Sequence, residues 1–587
     1  MKKINFLLLT FISIYIIIIS INLSTPFKCG TDDLKIKPVT INTSNASKKR
    51  KTANEYTPIK IKADYTSFTK INSMSDQTLQ KAKQLIDETI GEFSKFLQVQ
   101  HSNIKLDGEE NTIKKACLVK KISSDYKNFL IDNDLIIFPS FDGNLTSNVL
   151  AAAAFCLVSS ERKRPIAGVL YINPNLSFDR KNTDIYMKRI LLHEITHILV
   201  FHPELLKSLG LIKKINDVSY ITAPKALSKA RQHFNCASLT GIQLENQGSE
   251  GSVGSHWEAR YMLGDTMIST NYIEQAMSDI TLALFEDSGF YKVNYYSGGL
   301  FKFGKNKGCK FFNRKCLYNG GTDFTDEFCL NFKAESCANT RTNKGQCIIY
   351  DYNNDVPEEY RYFTNPHYGG FYPANYCPII NTDSLSMAKD YCPTSCKYGD
   401  SSLLNYGEII GEKSFCFNSS LLPSSSGLNP EYHAICYEVE CDNTNKQIII
   451  KYGSSTIKCP TTGGTLTPSD FKGTVICPKY YDICSAGSGE ICNDMFDCFD
   501  KKVTTDQNSY LYVPGQSDDE PYNEPVEIDD NNDNDDDHHH DNSNANNNDN
   551  NDDNNDDDDR IPIYRSSNSY LKYNYNIFTL LILLAFL

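Results

Sequence analysis

The sequence predicts an α+β body followed by a disulfide-rich region of mostly β and irregular structure. Three observations carry that prediction. Between residues 54 and 297, short β-branched runs alternate with stretches of helical periodicity. Between 298 and 500 the chain is rich in glycine and short turns, and 16 of its 20 cysteines lie from Cys309 to Cys498. Such density marks a disulfide framework and an oxidising compartment, which argues against the cytosol and the nucleus. At 587 residues, 40% of them hydrophobic and 22% charged, the chain has ample material for a core, and wholesale disorder is excluded.

Residues 1–24 carry Lys2 and Lys3 and then a largely apolar run from Ile4 to Ile21, the layout of a secretory signal peptide. A run of this length also suits an anchor that stays in the membrane. Residues 25–53 are polar and include Lys48-Lys49-Arg50-Lys51. They read either as a propeptide ending at a processing site or as a linker.

The body then runs in two parts, 54–200 and 201–297. Pro58–Tyr65 alternates like a strand. Leu79, Ala82, Ile86, Ile90, Phe93 and Leu97 recur at helical spacing across Ser75–Val99, with Ser75 or Asp76 as cap. Asp134–Phe138 and Pro165–Ile172 are short apolar runs that read as strands. Asp184 opens a further helix to about Val200, with Pro203 at or beyond its end. Residues 201–254 read as a mixed insertion, and Trp257–Phe285 as helical.

The formal net charge of −13 is local. Between Gly515 and Asp559 stand 19 acidic residues and no lysine or arginine. The rest of the chain is mildly basic, and no nucleic-acid partner is expected. Residues 515–560 cannot bury enough apolar surface to fold and read as a solvated spacer; His538–His540 inside it make a weak metal candidate. At 566–587, small residues Ser566, Ser567 and Asn568 precede a spacer and the apolar tail Ile577–Leu587. That tail is too short to cross a bilayer core of ~30 Å at ~1.5 Å per helical residue. The arrangement resembles a glycosylphosphatidylinositol (GPI) attachment signal with Ser566 or Ser567 as the site, the alternative being a frayed hydrophobic terminus. Between the two ends, five glycosylation sequons stand at Asn42, Asn45, Asn144, Asn175 and Asn418, each individually a weak signal.

The chemistry concentrates in His193-Glu194-Ile195-Thr196-His197. On a helix, His193 and His197 lie one turn apart on one face, so two imidazoles converge on one metal ion. Zinc suits neutral imidazole nitrogen. Glu194 beside them is placed to act as general base toward a water at the metal and then to pass the proton to a leaving amine. The bland alternative is two partly exposed histidines. A hydrolytic zinc needs a third protein ligand and an open position. Outside the motif and the acidic tract, His101, His202, His233, His256, His367 and His433 remain. The contiguous metzincin pattern H-E-x-x-H-x-x-G-x-x-H fails, because Val200 stands at the glycine and Pro203 at the third histidine. His202 is one residue off. A gluzincin-type reading would instead use Glu245 or Glu250.

A histidine motif interrupted by an insertion, then His256-Trp257-Glu258-Ala259-Arg260 and Met267, resembles leishmanolysin, the surface zinc metallopeptidase family. His197 and His256 are 59 positions apart, and Trp257 is the chain's only tryptophan. Pro58–Tyr65, Ala151–Cys156 and Arg164–Gly168 are also similar to the family pattern, over roughly Tyr56 to Cys498.

The resemblance implies a metzincin-type catalytic domain with an insertion between the second and third histidine ligands. It implies one Zn2+ per chain held by His193, His197 and His256, with Glu194 as catalytic base. Met267 would lie beneath the metal as a structural residue, and Glu258 and Arg260 would orient the His256 segment; an ordinary surface pair is the alternative for those two. It implies an endopeptidase acting on extracellular protein or peptide substrates, held on the outer membrane face by a lipid anchor or secreted; Ala167–Ile172, read as an edge strand, would take the substrate as an added strand. A role in cell adhesion goes with the family, and the rival reading is a weakly active or inactive adhesin on the same fold. Oligomeric state stays open. Two departures stand out. Val200 replaces a glycine that would let the chain leave the helix sharply. Cys29, the candidate latch on the zinc, sits in Lys28-Cys29-Gly30 and not beside a histidine.

Overall fold

A mixed sheet built from strands that are apolar on both faces organises the N-terminal half. In the computed structural model the described residues lie between Cys29 and Phe496, with short breaks, the longest at 44–55, 383–394 and 485–494. Residues 1–24, expected as a signal peptide, the acidic tract 515–560, and 566–587, expected as a GPI signal with Ser566 or Ser567 as its site, lie outside the described residues. The body's elements are β1 (Val39–Ile41), β2 (Thr57–Pro58), β3 (Ile61–Ala63), α1 (Asp76–Phe96), β4 (Leu97–Val99), β5 (Leu135–Phe141), β6 (Ala151–Ser159), β7 (Pro165–Ile172) and α2 (Asp184–Leu199). The main sheet has the order β1-β6-β7-β5-β3. Only the β6–β7 pair is antiparallel; β1–β6, β5–β7 and β3–β5 are parallel. Leu135 and Ile137 of β5 join the large core under α1 and α2, while Ile136 and Phe138 enter the core on the opposite face. That alternation is the period-2 geometry of a strand buried on both sides.

Ser75 caps α1 by accepting from the Thr78 amide, as an N-cap serine does. The close approach of α2 to the sheet requires Gly168: a Cβ there would stand 2.4 Å from Cγ2 of Ile198. Ala167–Ile172 is not an edge strand. It lies between β5 and β6, with both sides hydrogen-bonded, so no extended peptide can pair with it.

The Trp257–Phe285 span is not one helix either. It holds α4 (Ala259–Met262) and α5 (Asp279–Asp287), after α3 (Pro224–Phe234). Gly264 breaks the run at φ +91°, and the side chain of Asp265 takes the Met267 and Ser278 amides that a continuing helix would have used. The large core continues to Ile380 and takes in Met495 and Phe496. A second core spans Tyr406–Cys484, built on a six-stranded sheet whose longest strand is His433–Asp442. Eight disulfides join described cysteines, from Cys117–Cys156 to Cys459–Cys477. No helix among the described residues is long and apolar enough to cross a membrane. Asn42 and Asn175 are exposed. Asn418 accepts from the Cys337 amide and donates to Ser336 Oγ. Asn45 and Asn144 lie outside the described residues.

Candidate metal centre

The buried helix α2 sets the geometry. Ile190, Leu191, Leu192, Ile195, Ile198 and Leu199 fix it in the core, and His193 and His197 then share one face. Their Nε2 atoms are 3.0 Å apart. His256 arrives from a separate segment and places its Nε2 3.3 Å from that of His193. The rings of His193 and His256 are nearly parallel at 15°, and His197 stands almost perpendicular to both. Cys29 completes the group, with Sγ 3.5 Å from Nε2 of His197. One donor atom from each of the four lies within 4.8 Å of the others, and all four residues are buried.

The second nitrogen of each ring is also held. Nδ1 of His193 donates to the Thr266 carbonyl at 2.6 Å, and Nδ1 of His197 to the Phe201 carbonyl at 2.6 Å. Nδ1 of His256 lies 2.8 Å from Ser255 Oγ. A carbonyl can only accept, so in the neutral rings of His193 and His197 the proton sits on Nδ1 and Nε2 carries a lone pair. Burial lowers His193 to about 4. Burial, then the neighbouring His193 and His256, holds His197 well below the ordinary imidazole range. Two lone pairs therefore face each other at hydrogen-bond distance with no proton between them, an arrangement that a cation resolves. Three imidazole nitrogens and a thiol are a donor set that fits zinc.

Val200 explains how the chain leaves α2 without glycine. It is absent from the left-handed residues. Val200 and Phe201 both donate to the Thr196 carbonyl, a turn that brings the Phe201 carbonyl back to His197. His202 does not join the cluster. It stands at the N-cap position of the next short helix without a side-chain cap bond and packs its ring edge-on against Phe155, where burial lowers it to about 4. Glu245 is engaged by the Gln247 amide and Ser269 Oγ; Glu250 lies outside the described residues. His101, His233, His367 and His433 bond elsewhere. Glu194 follows His193 on α2 and is 1% exposed.

Met267 is fully buried in the loop after α4, and its carbonyl accepts from the Trp257 amide. Trp257 packs edge-on against Phe201. Glu258 and Arg260 are both buried, not a surface pair. Glu258 caps α4 by accepting from the Arg260 amide. The Arg260 guanidinium lies over Phe311 and Phe328 and donates to the Phe311 carbonyl, tying the His256 segment to the disulfide-rich region.

Sequence reasoning missed Asp265 and Thr281. Asp265 accepts from the Met267 and Ser278 amides and from Thr281 Oγ1, which in turn accepts from Trp257 Nε1. The signal was present in Gly264-Asp265, a break followed by a side chain that captures nearby amides.

A helix bearing two histidines one turn apart, met by a third from a distant segment, is the site of a metallopeptidase-type fold. The chain belongs to the leishmanolysin peptidase family: the family model described as Leishmanolysin matches residues 40–491. It is similar to a leishmanolysin homolog of Crithidia fasciculata, 30% identical over 358 residues, 58% of this chain and 53% of that one. It is also similar to leishmanolysin of Leishmania tropica, 25% identical over 416 residues, 66% of this chain and 61% of that one. A leishmanolysin-like peptidase of Drosophila melanogaster is 28% identical over 315 residues, 47% of this chain and 45% of that one. The matched region thus spans less than two thirds of the length of each of these relatives.

Proposed function

We infer that this chain is a zinc-dependent endopeptidase that hydrolyses peptide bonds of extracellular proteins, made as a latent precursor. The observation that carries the reading is the pair of Nε2 lone pairs on His193 and His197, 3.0 Å apart, with His256 alongside. His193, His197 and His256 would hold the ion. Zinc, when bound, supplies a Lewis acid that polarises a peptide carbonyl and acidifies water.

The other roles fall to the chain's own groups. Glu194 takes the proton from the attacking water on its carboxylate and delivers it to the amine that leaves. The Thr266 and Phe201 carbonyls fix the ring orientation and tautomer of His193 and His197, as outer hydrogen bonds do at metal sites. Met267 packs below the histidines without taking part in proton transfer. Cys29 bars the position that a water or substrate would need.

The two ends of the chain complete the reading. Residues 1–24 direct secretion, residues 25–53 form the latent segment, and 566–587 supply the GPI signal at Ser566 or Ser567, with 515–560 as the spacer above the membrane. Metal analysis together with cleavage of a peptide library, with and without a chelator, tests the function. One zinc per chain and chelator-sensitive cleavage are expected; cleavage that survives complete zinc removal would overturn it.

A further inference from the structure

Among the described residues of the N-terminal segment, two contacts with the body stand ten residues apart. One is Cys29 beside His197. The other is β1, which runs parallel to β6 with Val39 opposite Leu157, Thr40 opposite Val158 and Ile41 opposite Ser159. The second contact is built in detail. Ile41 is 3% exposed and packs in an apolar cluster with Ile104, Leu157 and Ile166. The Ser160 amide donates to the Ile41 carbonyl at 2.9 Å, the Thr43 amide donates to Ser160 Oγ at 3.0 Å, and Thr43 Oγ1 lies 2.9 Å from Ser159 Oγ. An edge strand such as β6 captures extended chain through its backbone groups, and here the occupant is the chain's own N-terminal segment. In the sequence, the basic run Lys48-Lys49-Arg50-Lys51 follows β1, so one cut there leaves Cys29 and β1 on the same piece.

We propose that the outer edge of β6 over Leu157–Ser159 is a docking surface for segment 29–43, and that the segment stays bound there after cleavage and inhibits as a separate peptide. The proposal rests on the reading of Cys29 as a latch and adds an anchor to it. The cut is a hydrolysis by a protease specific for basic residues. It consumes one water, leaves a carboxylate on the released piece and an amine on the body, and changes no other bond. Two contacts on one short tether reinforce each other: a docked β1 confines Cys29 near His197 at an effective concentration on the order of millimolar. Activation then takes two events, cutting and undocking.

The test uses the full chain with residues 48–51 replaced by the recognition sequence of a site-specific protease. After the cut, the fraction of the piece that co-elutes with the body in size exclusion is measured, and peptide cleavage is assayed in parallel. The piece is expected to co-elute and the body to stay latent. Ile41→Asp, which places a charge in the apolar cluster, is expected to lower the retained fraction roughly tenfold or more and release activity. Val39→Asp puts the same charge on a residue that is 38% exposed and is expected to leave retention within about twofold. Cys29→Ala should keep the piece bound while activity appears. If the unaltered piece separates as readily as the Ile41→Asp piece, the docking surface is refuted and the latch reading is untouched. If the Cys29→Ala piece is retained but activity stays absent, the latch reading fails and the docking surface is supported.

Discussion

Sγ of Cys29 stands 3.5 Å from Nε2 of His197, across a sequence separation of 168 residues. Both residues are buried, and on the proposed reading the contact occupies the place a substrate carbonyl would need. A thiolate is a strong zinc ligand, and its removal would free a place for substrate at an ion held by His193, His197 and His256. The uncut Cys29→Ala chain is therefore expected to cleave a fluorogenic peptide roughly tenfold or more faster than the uncut parent. Equal latency in the two uncut chains, with zinc present in both, would remove Cys29 from the mechanism.

Glu194 separates binding from chemistry. It is 1% exposed and sits one residue from His193 on α2, yet it is not among the four residues whose donor atoms converge. Glu194→Gln keeps the shape and removes the carboxylate proposed as the base. Peptide cleavage by the processed chain is expected to fall by about 10²–10⁴-fold, with zinc content by metal analysis unchanged. Loss of zinc in this variant would instead mark Glu194 as a ligand.

Much of this site was legible in the sequence because its signals are local. Two histidines four apart with a glutamate between them, inside an apolar helical run, specify their own geometry once the helix is buried. His256 stood out only through the resemblance carried by His256–Arg260, and Ser75 and Asp184 marked helix starts. What stayed hidden depends on the chain's return from far away. Nothing near Val200 indicates that two successive amides will share the Thr196 carbonyl and so turn the chain without glycine. The sheet order could not be read from strand content: Pro165–Ile172 was found with its correct ends, but whether it lies inside the sheet or at its edge is a pairing property. The helical reading of Trp257–Phe285 failed because apolar periodicity does not show an aspartate drawing amides out of the helix ladder.

That aspartate yields the third prediction. Asp265 is fully buried, accepts from the Met267 and Ser278 amides and Thr281 Oγ1, and adjoins Thr266, whose carbonyl holds His193. We read it as a positioning residue: its carboxylate shapes the loop, and the loop's Thr266 carbonyl orients His193, the proposed ligand. Asp265→Asn leaves one acceptor and turns the other into a donor facing donors, a mismatch that costs about 1–3 kcal/mol. Zinc retention against a competing chelator is expected to weaken roughly 10–100-fold, while the Cys117–Cys156 disulfide and the far sheet keep their fold. An Asp265→Asn chain that is less stable overall but holds zinc as tightly as the parent would reduce Asp265 to a purely structural role.

Gly168 offers a test of the sheet–helix contact that carries the histidines. A methyl at that position meets Ile198 Cγ2 at 2.4 Å, and Ile198 belongs to the same turn as His197. The clash is with a side chain packed in the core, so the neighbours must shift, at about 1–3 kcal/mol. Gly168→Ala is expected to lower the unfolding free energy measured in urea by that amount. Gly168→Ala combined with Ile198→Val, which shortens the obstructing side chain, is expected to recover part of the loss; no recovery would place the strain elsewhere.

Asp279 gives the pH dependence of stability. It opens α5 and is 5% exposed, with Lys229 of α3 3.7 Å from its carboxylate. Burial raises its carboxyl from 3.8 to about 7, against the opposing pull of Lys229. The folded state thus holds a proton that the unfolded state has released between roughly pH 4 and 7, so stability falls as pH rises through that window. Above pH 7 the buried carboxylate is ionised and its full penalty, on the order of a few kcal/mol, is present. Asp279→Asn carries no such proton. The difference in urea stability between variant and parent is therefore expected to grow in the variant's favour from pH 5 to pH 8 and to level off beyond. Parallel stability curves across that range would show that Lys229 keeps Asp279 ionised throughout, and that the helix pair is held by an ion pair and not by a shared proton.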